Sequence, residues 1–298
     1  MRFLDELVRD GVELARNTLV INADNVARYF YEQVSVGELG KVFPNVAPPF
    51  EYLAIEWHNP PFCWERQQKI PLPPFRWVIF SNNYNANDPG SQELIGQYRL
   101  GSSARDAKWI SELIGLVDGL RLEQPGTINP HMVFCAATAI NPDGQFSNME
   151  VPFSGFVNPA LPRLYGSEET PAILNVLWPY FLTLSFMHCK NVTLENQAEK
   201  PGFSPRRHLR LFGRPPICYK VLAIEPMQKI IAHCAAERGV SLLKALHICR
   251  GHFKDYSRHD GLFGKYKGIF WWNQAVRGNI GAGAVVKSYK VLADRSVR

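Results

Sequence analysis

The sequence predicts an α+β fold. Three observations carry it. Apolar residues at helical spacing open the chain, short β-type runs punctuated by turn residues fill its middle and end, and one long apolar stretch stands between them. The expected order is an N-terminal helical segment (residues 1–45), a mixed α/β body (46–195) and a basic C-terminal part (196–298) of small antiparallel β-rich character.

Leu4, Leu7, Val8, Val12, Leu14 and Ala15 recur at helical spacing, as do Val26, Tyr29, Phe30 and Val34, so residues 3–36 read as helices with Asp24 as a cap. The proline-rich turn FPNVAPPFEY closes them. Residues 52–57 (YLAIEW) and 75–80 (FRWVIF) are β-type, and a polar loop, SNNYNANDPGSQE, follows them. Residues 97–120 mix strand and helix signals. Residues 131–140 and 145–152 flank Asp143 and Gly144 as a hairpin would. Residues 172–187 (AILNVLWPYFLTLSFM) are too short, and too interrupted by Asn175 and Pro179, to span a membrane; they predict a buried helix kinked near Pro179. A strand at 190–195 and a basic, Pro/Gly-punctuated connector at 196–216 come next. The chain ends with a strand at 218–224, a helix at 227–238, and strands at 246–256 and 268–277.

Composition bounds the rest. Of 298 residues, 46% are hydrophobic and 20% charged, which is globular composition and excludes a disordered or fibrous chain. The net charge of +6 is unevenly spread: residues 1–199 carry 14 Lys/Arg against 22 Asp/Glu, residues 200–298 carry 19 against 5. A basic end on an acidic body is the footprint of a protein that meets RNA, DNA or an acidic surface, or of a basic face docked on its own acidic part. The six cysteines form no CxxC pair, so reduced thiols in a cytoplasm fit better than disulfides or a zinc knuckle. The N-terminus, with acids among its apolar residues, does not read as a signal peptide. A soluble, cytoplasmic protein with no membrane partner is expected.

The most unusual stretch is HICRGHFKDY at 247–256. As a strand it would put Arg250, His252, Lys254 and Tyr256 on one face and Cys249, Gly251, Phe253 and Asp255 on the other. His247 falls with Cys249 unless a bulge at Gly251 re-aims it. Lys265 lies in the following loop, and Trp271, Trp272 and Arg277 in the next strand. A binding surface would set Arg250, Lys254, Lys265 and Arg277 on phosphates or carboxylates, with Tyr256 and Trp272 for stacking and His252 within the same surface. A metal-independent ribonuclease would use His252 and His247 for proton transfer, with Arg250 or Lys254 stabilising the transition state. A structural reading, with the histidines bonded to carbonyls and the tryptophans in a core, fits the same residues.

Elsewhere the signals are thinner. His131 and Asp143 flank the expected hairpin and could share an acid/base site. His58 reads as loop packing, and His188 with Cys189 as the end of the long helix. His233 and Cys234 adjoin without metal spacing. The chain has no HExxH, GxSxG, P-loop or GxGxxG pattern, so metal hydrolase, serine hydrolase, ATPase and dehydrogenase chemistry are not indicated, and neither a cofactor nor a metal is implied.

The C-terminal pattern resembles a family of proteins encoded by phages, prophages and plasmids. Its elements here are Arg214-Pro215-Pro216, Tyr219, Leu222, Ile224, His247, Arg250-Gly251-His252-Phe253, Tyr256, Trp271-Trp272 and Arg277-Gly278. The pattern is also similar to the C-terminal end of type V-A anti-CRISPR proteins, in which a tryptophan stands at the position of Phe253. The resemblance spans about the last 100–120 residues. It implies an anti-defence or regulatory protein working in the host bacterial cytoplasm. Such a protein would bind RNA, a ribosome–nascent-chain complex, or an acidic or nascent segment of a host defence protein, and lower that protein's production. A purely protein-binding decoy is the remaining alternative.

Overall fold

The computed structural model describes residues 2–33, 43–65, 68–118, 131–145, 169–197, 204–212, 216–224, 245–249, 251–257, 261–262, 264–272, 275–277 and 279–284. The fold is α+β. The chain divides into two compact units, Met1–Ile224 and Glu225–Arg298.

The first unit is built on a seven-stranded sheet. Its strands are β1 (Leu19–Asn22), β2 (Tyr52–His58), β5 (Arg76–Asn85), β6 (Trp109–Asp118), β7 (Met132–Ile140), β8 (Val192–Asn196) and β9 (Tyr219–Ile224). A separate ribbon pairs β3 (Phe62–Glu65) with β4 (Gln68–Pro71). The spatial order in the sheet is β7-β6-β5-β2-β1-β9-β8. β1 runs parallel to both β2 and β9, and the other neighbours are antiparallel. Residues 3–36, expected to be helical throughout, therefore hold a strand between α1 (Phe3–Arg9) and α2 (Asp24–Gln33). Four apolar-rich residues fit either period, and only pairing on both sides decides for the strand.

α1 lies on one face of the sheet, where Phe3, Leu4 and Leu7 bury against Val20, Ala54, Val78, Leu116 and Tyr219. Its free N-terminal N–H groups are satisfied from below: Glu56, 1% exposed, accepts Phe3 N–H at 3.1 Å and Leu4 N–H at 3.3 Å. Farther along, α3 (Pro89–Gln97) contributes Leu94 to a cluster with Tyr98, Ile110, Ala137 and Ala139.

The apolar stretch forms α4 (Glu169–Met187), in which every residue from 176 to 186 is buried. Pro179 sits inside this helix, and Thr183 Oγ1 donates to its carbonyl at 2.7 Å. Trp178 packs on Phe30 of α2 and on Phe43, with ring centroids 5.1 and 4.8 Å apart. Among the described residues no helix is long and apolar enough to cross a membrane.

β5 runs on through SNNYN, which was expected to be loop, and the buried amide nitrogen of Asn83 finds partners there. Asn83 donates to Phe50 O at 2.9 Å and to Ser81 Oγ at 3.2 Å. Gly144, at φ +82°, makes the turn after β7, but the return strand expected at 145–152 lies outside the described residues beyond Gln145. The basic run in the supposed connector is helical, α5 (Pro205–Phe212), with Arg206, Arg207 and Arg210 exposed.

The described residues of the second unit form β10 (Ala245–Cys249), β11 (His252–Asp255), β12 (Ile269–Trp272), β13 (Ala275–Arg277) and β14 (Asn279–Ala284). β10 pairs antiparallel with β13 and parallel with β14, whereas β11 pairs antiparallel with β12. The run 246–256 thus holds two strands in two sheets, one ending at Cys249 and the other opening at His252. The helix expected at 227–238 lies outside the described residues.

Candidate functional site

The β11–β12 ribbon sets the basic motif in register. His252 lies opposite Trp272, Phe253 opposite Trp271, Lys254 opposite Phe270 and Asp255 opposite Ile269. Tyr256 extends the ladder through its N–H, which donates to Gly268 O at 2.8 Å. Because successive residues alternate faces, His252, Lys254 and Trp272 share one face, while Phe253, Asp255 and Trp271 share the other.

On the first face Phe270 and Trp272 are buried, with Tyr256, Leu262 and Tyr266 packed against them. His252 and Lys254 are exposed above this small core. The His252 ring stacks on the indole of Trp272, centroids 6.3 Å apart and planes 10° from parallel. The ammonium of Lys254 stands 5.0 Å from the Tyr256 ring centroid and 6.0 Å from that of Trp272. Each distance is within cation–π range. Trp272 is 6% exposed, so the flat surface open to solvent here is the imidazole, with the indole as its backing. On the second face Phe253 meets Trp271 edge-on at 4.6 Å.

Lys265 is exposed in a tight turn closed by Leu262 and Tyr266, whose N–H groups donate to each other's carbonyls at 2.8 and 3.1 Å. Positive φ at Gly261 (+81°) and Gly264 (+70°) lets the chain reverse so sharply. Arg250 lies outside the described residues. His247 and Arg277 are register partners on β10 and β13, and their side chains also lie outside the described residues. Of the eight residues singled out by sequence, His252, Lys254, Tyr256 and Trp272 come together.

The thinner signals disperse. His131 and Asp143 stand beyond opposite ends of β7, about 30 Å apart at strand rise, and do not meet. The His131 ring lies edge-on to Phe3 at 5.3 Å, and Asp143 accepts the N–H of Gln145 at 3.0 Å within the turn. His188 Nε2 is 2.7 Å from Ala47 O. Cys189 is buried, which pushes its thiol up to about 12. Among the described residues no three potential ligands gather as a metal would need.

Two arrangements in the first unit have no sequence motif. His58 is not loop packing: it ends β2 and pairs with Asp24, whose Oδ1 accepts the His58 backbone N–H at 2.8 Å and lies 3.0 Å from Nδ1. Burial works against the charge on Asp24, but the hydrogen bonds and charge of His58 outweigh it and hold the carboxyl below its usual range. His58 is raised in return, chiefly by its hydrogen bond to Asp24. One strand over, Arg76 grips Glu6 with Nη1 at 3.1 Å and Nη2 at 2.9 Å, and Asp118 with Nε at 2.7 Å.

The second is a polar row across β2, β5 and β6, where Tyr52, Asn82 and Glu112 are consecutive register partners. Asn82 Nδ2 and the Tyr98 hydroxyl each donate to Glu112 at 3.1 Å. Tyr52, Asn82 and Glu112 are each 30 positions from the next along the chain, so only strand register reveals the row. No family model, curated protein or solved structure matches the chain.

Proposed function

We propose that this is a binding protein whose basic C-terminal unit holds single-stranded RNA. In this reading it is a mobile-element-encoded regulatory or anti-defence protein that meets its target message at the translating ribosome and lowers production of a host defence protein. The carrying observation is the exposed pair His252 and Lys254 on one face of β11, backed by buried Trp272. A flat imidazole beside an ammonium offers one nucleotide a surface for its base and a cation for its phosphate. The unit around them carries 13 Lys/Arg against 5 Asp/Glu over residues 225–298, which supplies the longer-range attraction to a polyanion. The exposed arginines of α5 add to the basic surface available in the first unit.

Fluorescence anisotropy with a labelled single-stranded RNA, read across a salt series, tests this. Affinity should fall linearly with salt on logarithmic axes, and Lys254→Ala should reduce the slope by about one. His252→Ala should weaken binding by about 1–3 kcal/mol, the worth of one base stack, and change the slope less than Lys254→Ala does. Cleavage of the RNA that depends on His252 would replace this reading with a ribonuclease. Capture of a host protein that survives nuclease treatment, without RNA affinity, would replace it with a protein-binding decoy.

A further inference from the structure

The first unit contains a cleft that the RNA-binding reading does not use. It lies on the α1 side of the sheet, has a volume of about 340 Å³, and is floored by Phe80, Ile114 and Leu116. The segment joining α1 to β1 forms its wall through Val12 and Leu14, and Glu13, Tyr52 and Asn82 stand at its polar edge. That volume is at the lower end of small-molecule sites, which combine an apolar floor with a few polar groups that fix orientation.

The polar edge has a definite sense. The amide nitrogen of Asn82 donates to the Glu112 carboxylate, which can only accept; this bond fixes the amide and leaves its oxygen able to accept from a ligand. The Tyr52 hydroxyl is engaged by the carboxylate of Glu51, which holds the phenol above its usual range, and it therefore presents a lone pair. Exposed Glu13 brings a carboxylate to the edge of the lining, and among the described residues no Lys, Arg or His lines the cleft. Glu112, one strand beyond Asn82, extends the negative edge. An anion would meet the like charge of Glu13 and Glu112 here, with no cationic side chain among the described lining residues to offset it. A ligand that donates, carries positive charge and has an apolar body would find complements to all three properties.

We infer that this cleft binds a small organic ammonium ion, its hydrocarbon part over Phe80 and Ile114 and its charged nitrogen among Asn82, Tyr52 and Glu13. The proposal does not rest on the RNA-binding reading: the described lining residues all belong to the first unit.

Isothermal titration calorimetry on the full chain tests it with three near-isosteric probes: 2-phenylethylammonium, 2-phenylethanol and 3-phenylpropionate. The ammonium should bind saturably, the alcohol about tenfold more weakly, the value of one charge-assisted contact, and the carboxylate more weakly still. Ala15→Trp fills the cleft from an exposed position in the lining and should abolish the heat while near-ultraviolet dichroism shows an intact fold. Glu13→Gln, also exposed, should weaken the ammonium about tenfold and leave the alcohol unchanged. Equal or tighter binding of the alcohol or carboxylate would overturn the proposal. So would ammonium binding indifferent to both variants, or no heat from any probe at millimolar concentration.

Discussion

Tyr219 donates its hydroxyl to the buried carboxylate of Glu56 at 3.0 Å, joining β9 to β2 across the strand that separates them. The same carboxylate receives the first N–H groups of α1, so one side chain ties together a helix and two strands. Burial pushes the Glu56 carboxyl above its ordinary value, and these donors pull it back only in part.

Tyr219→Phe should cost about 1–3 kcal/mol in urea unfolding, because it removes one donor from a buried acceptor. The pH dependence follows from the raised carboxyl. Between its ordinary pKa, about 4.3, and its higher folded value, the native state binds more protons than the unfolded state, so Glu56 lowers stability as pH rises through that window. Unfolding curves from pH 4 to 7 should therefore show the wild type losing stability relative to Glu56→Gln as pH increases.

The two partners of the Asp24–His58 pair act in opposite senses, one at each end of the range. The lowered Asp24 carboxyl contributes stability that is present above about pH 3.9 and lost as pH falls through the folded value; the raised His58 contributes stability that is present below about pH 6.5 and lost as pH rises through its own. His58→Gln should flatten the decline in stability on the alkaline side. Both side chains are nearly half exposed, so the change should stay within about 1 kcal/mol. Denaturant midpoints at pH 5.5 and 8.5 measure it.

Gly115 on β6 lies under the ring of Phe134, its register partner on β7, and a methyl group at this position would enter that ring. Gly115→Ala should destabilise by about 1–3 kcal/mol through overpacking, and Phe134→Leu in the same chain should recover part of the loss. A double-mutant cycle in thermal unfolding reads the coupling.

In the C-terminal ribbon, exposure separates working residues from supporting ones. His252→Ala and Lys254→Ala should leave unfolding free energy within about 0.5 kcal/mol, whereas Trp272→Ala should cost about 3 kcal/mol. Denaturant unfolding followed by tryptophan fluorescence, alongside the RNA titrations, distinguishes lost contacts from lost structure.

The parts legible in the sequence were those whose pattern is local. YLAIEW, FRWVIF and CYKVLAI lie within β2, β5 and β9 or extend them by a residue, and the apolar stretch is α4 despite Pro179. The missed parts depend on distant partners. LVIN is a strand because β2 and β9 flank it, and SNNYN stays in β5 because β6 pairs with it throughout and Phe50 and Ser81 accept from the amide nitrogen of Asn83. The candidate RNA surface was partly legible: alternation placed His252 and Lys254 together, but the backing of His252 by Trp272 required the register of β11 with β12. Asp24 with His58, and Tyr52 with Asn82 and Glu112, have no spacing that announces them, since each pairing crosses between elements.

The place of β9 has a consequence for incomplete chains. Val20 pairs with Tyr219, so the outer flank of β1 stays uncovered until almost the whole unit has been made. A premature stop between residues 197 and 218 would leave the backbone groups of Leu19–Asn22 without their neighbour and Glu56 without its phenol. The truncated product would then be prone to clump with its own kind through that bare margin.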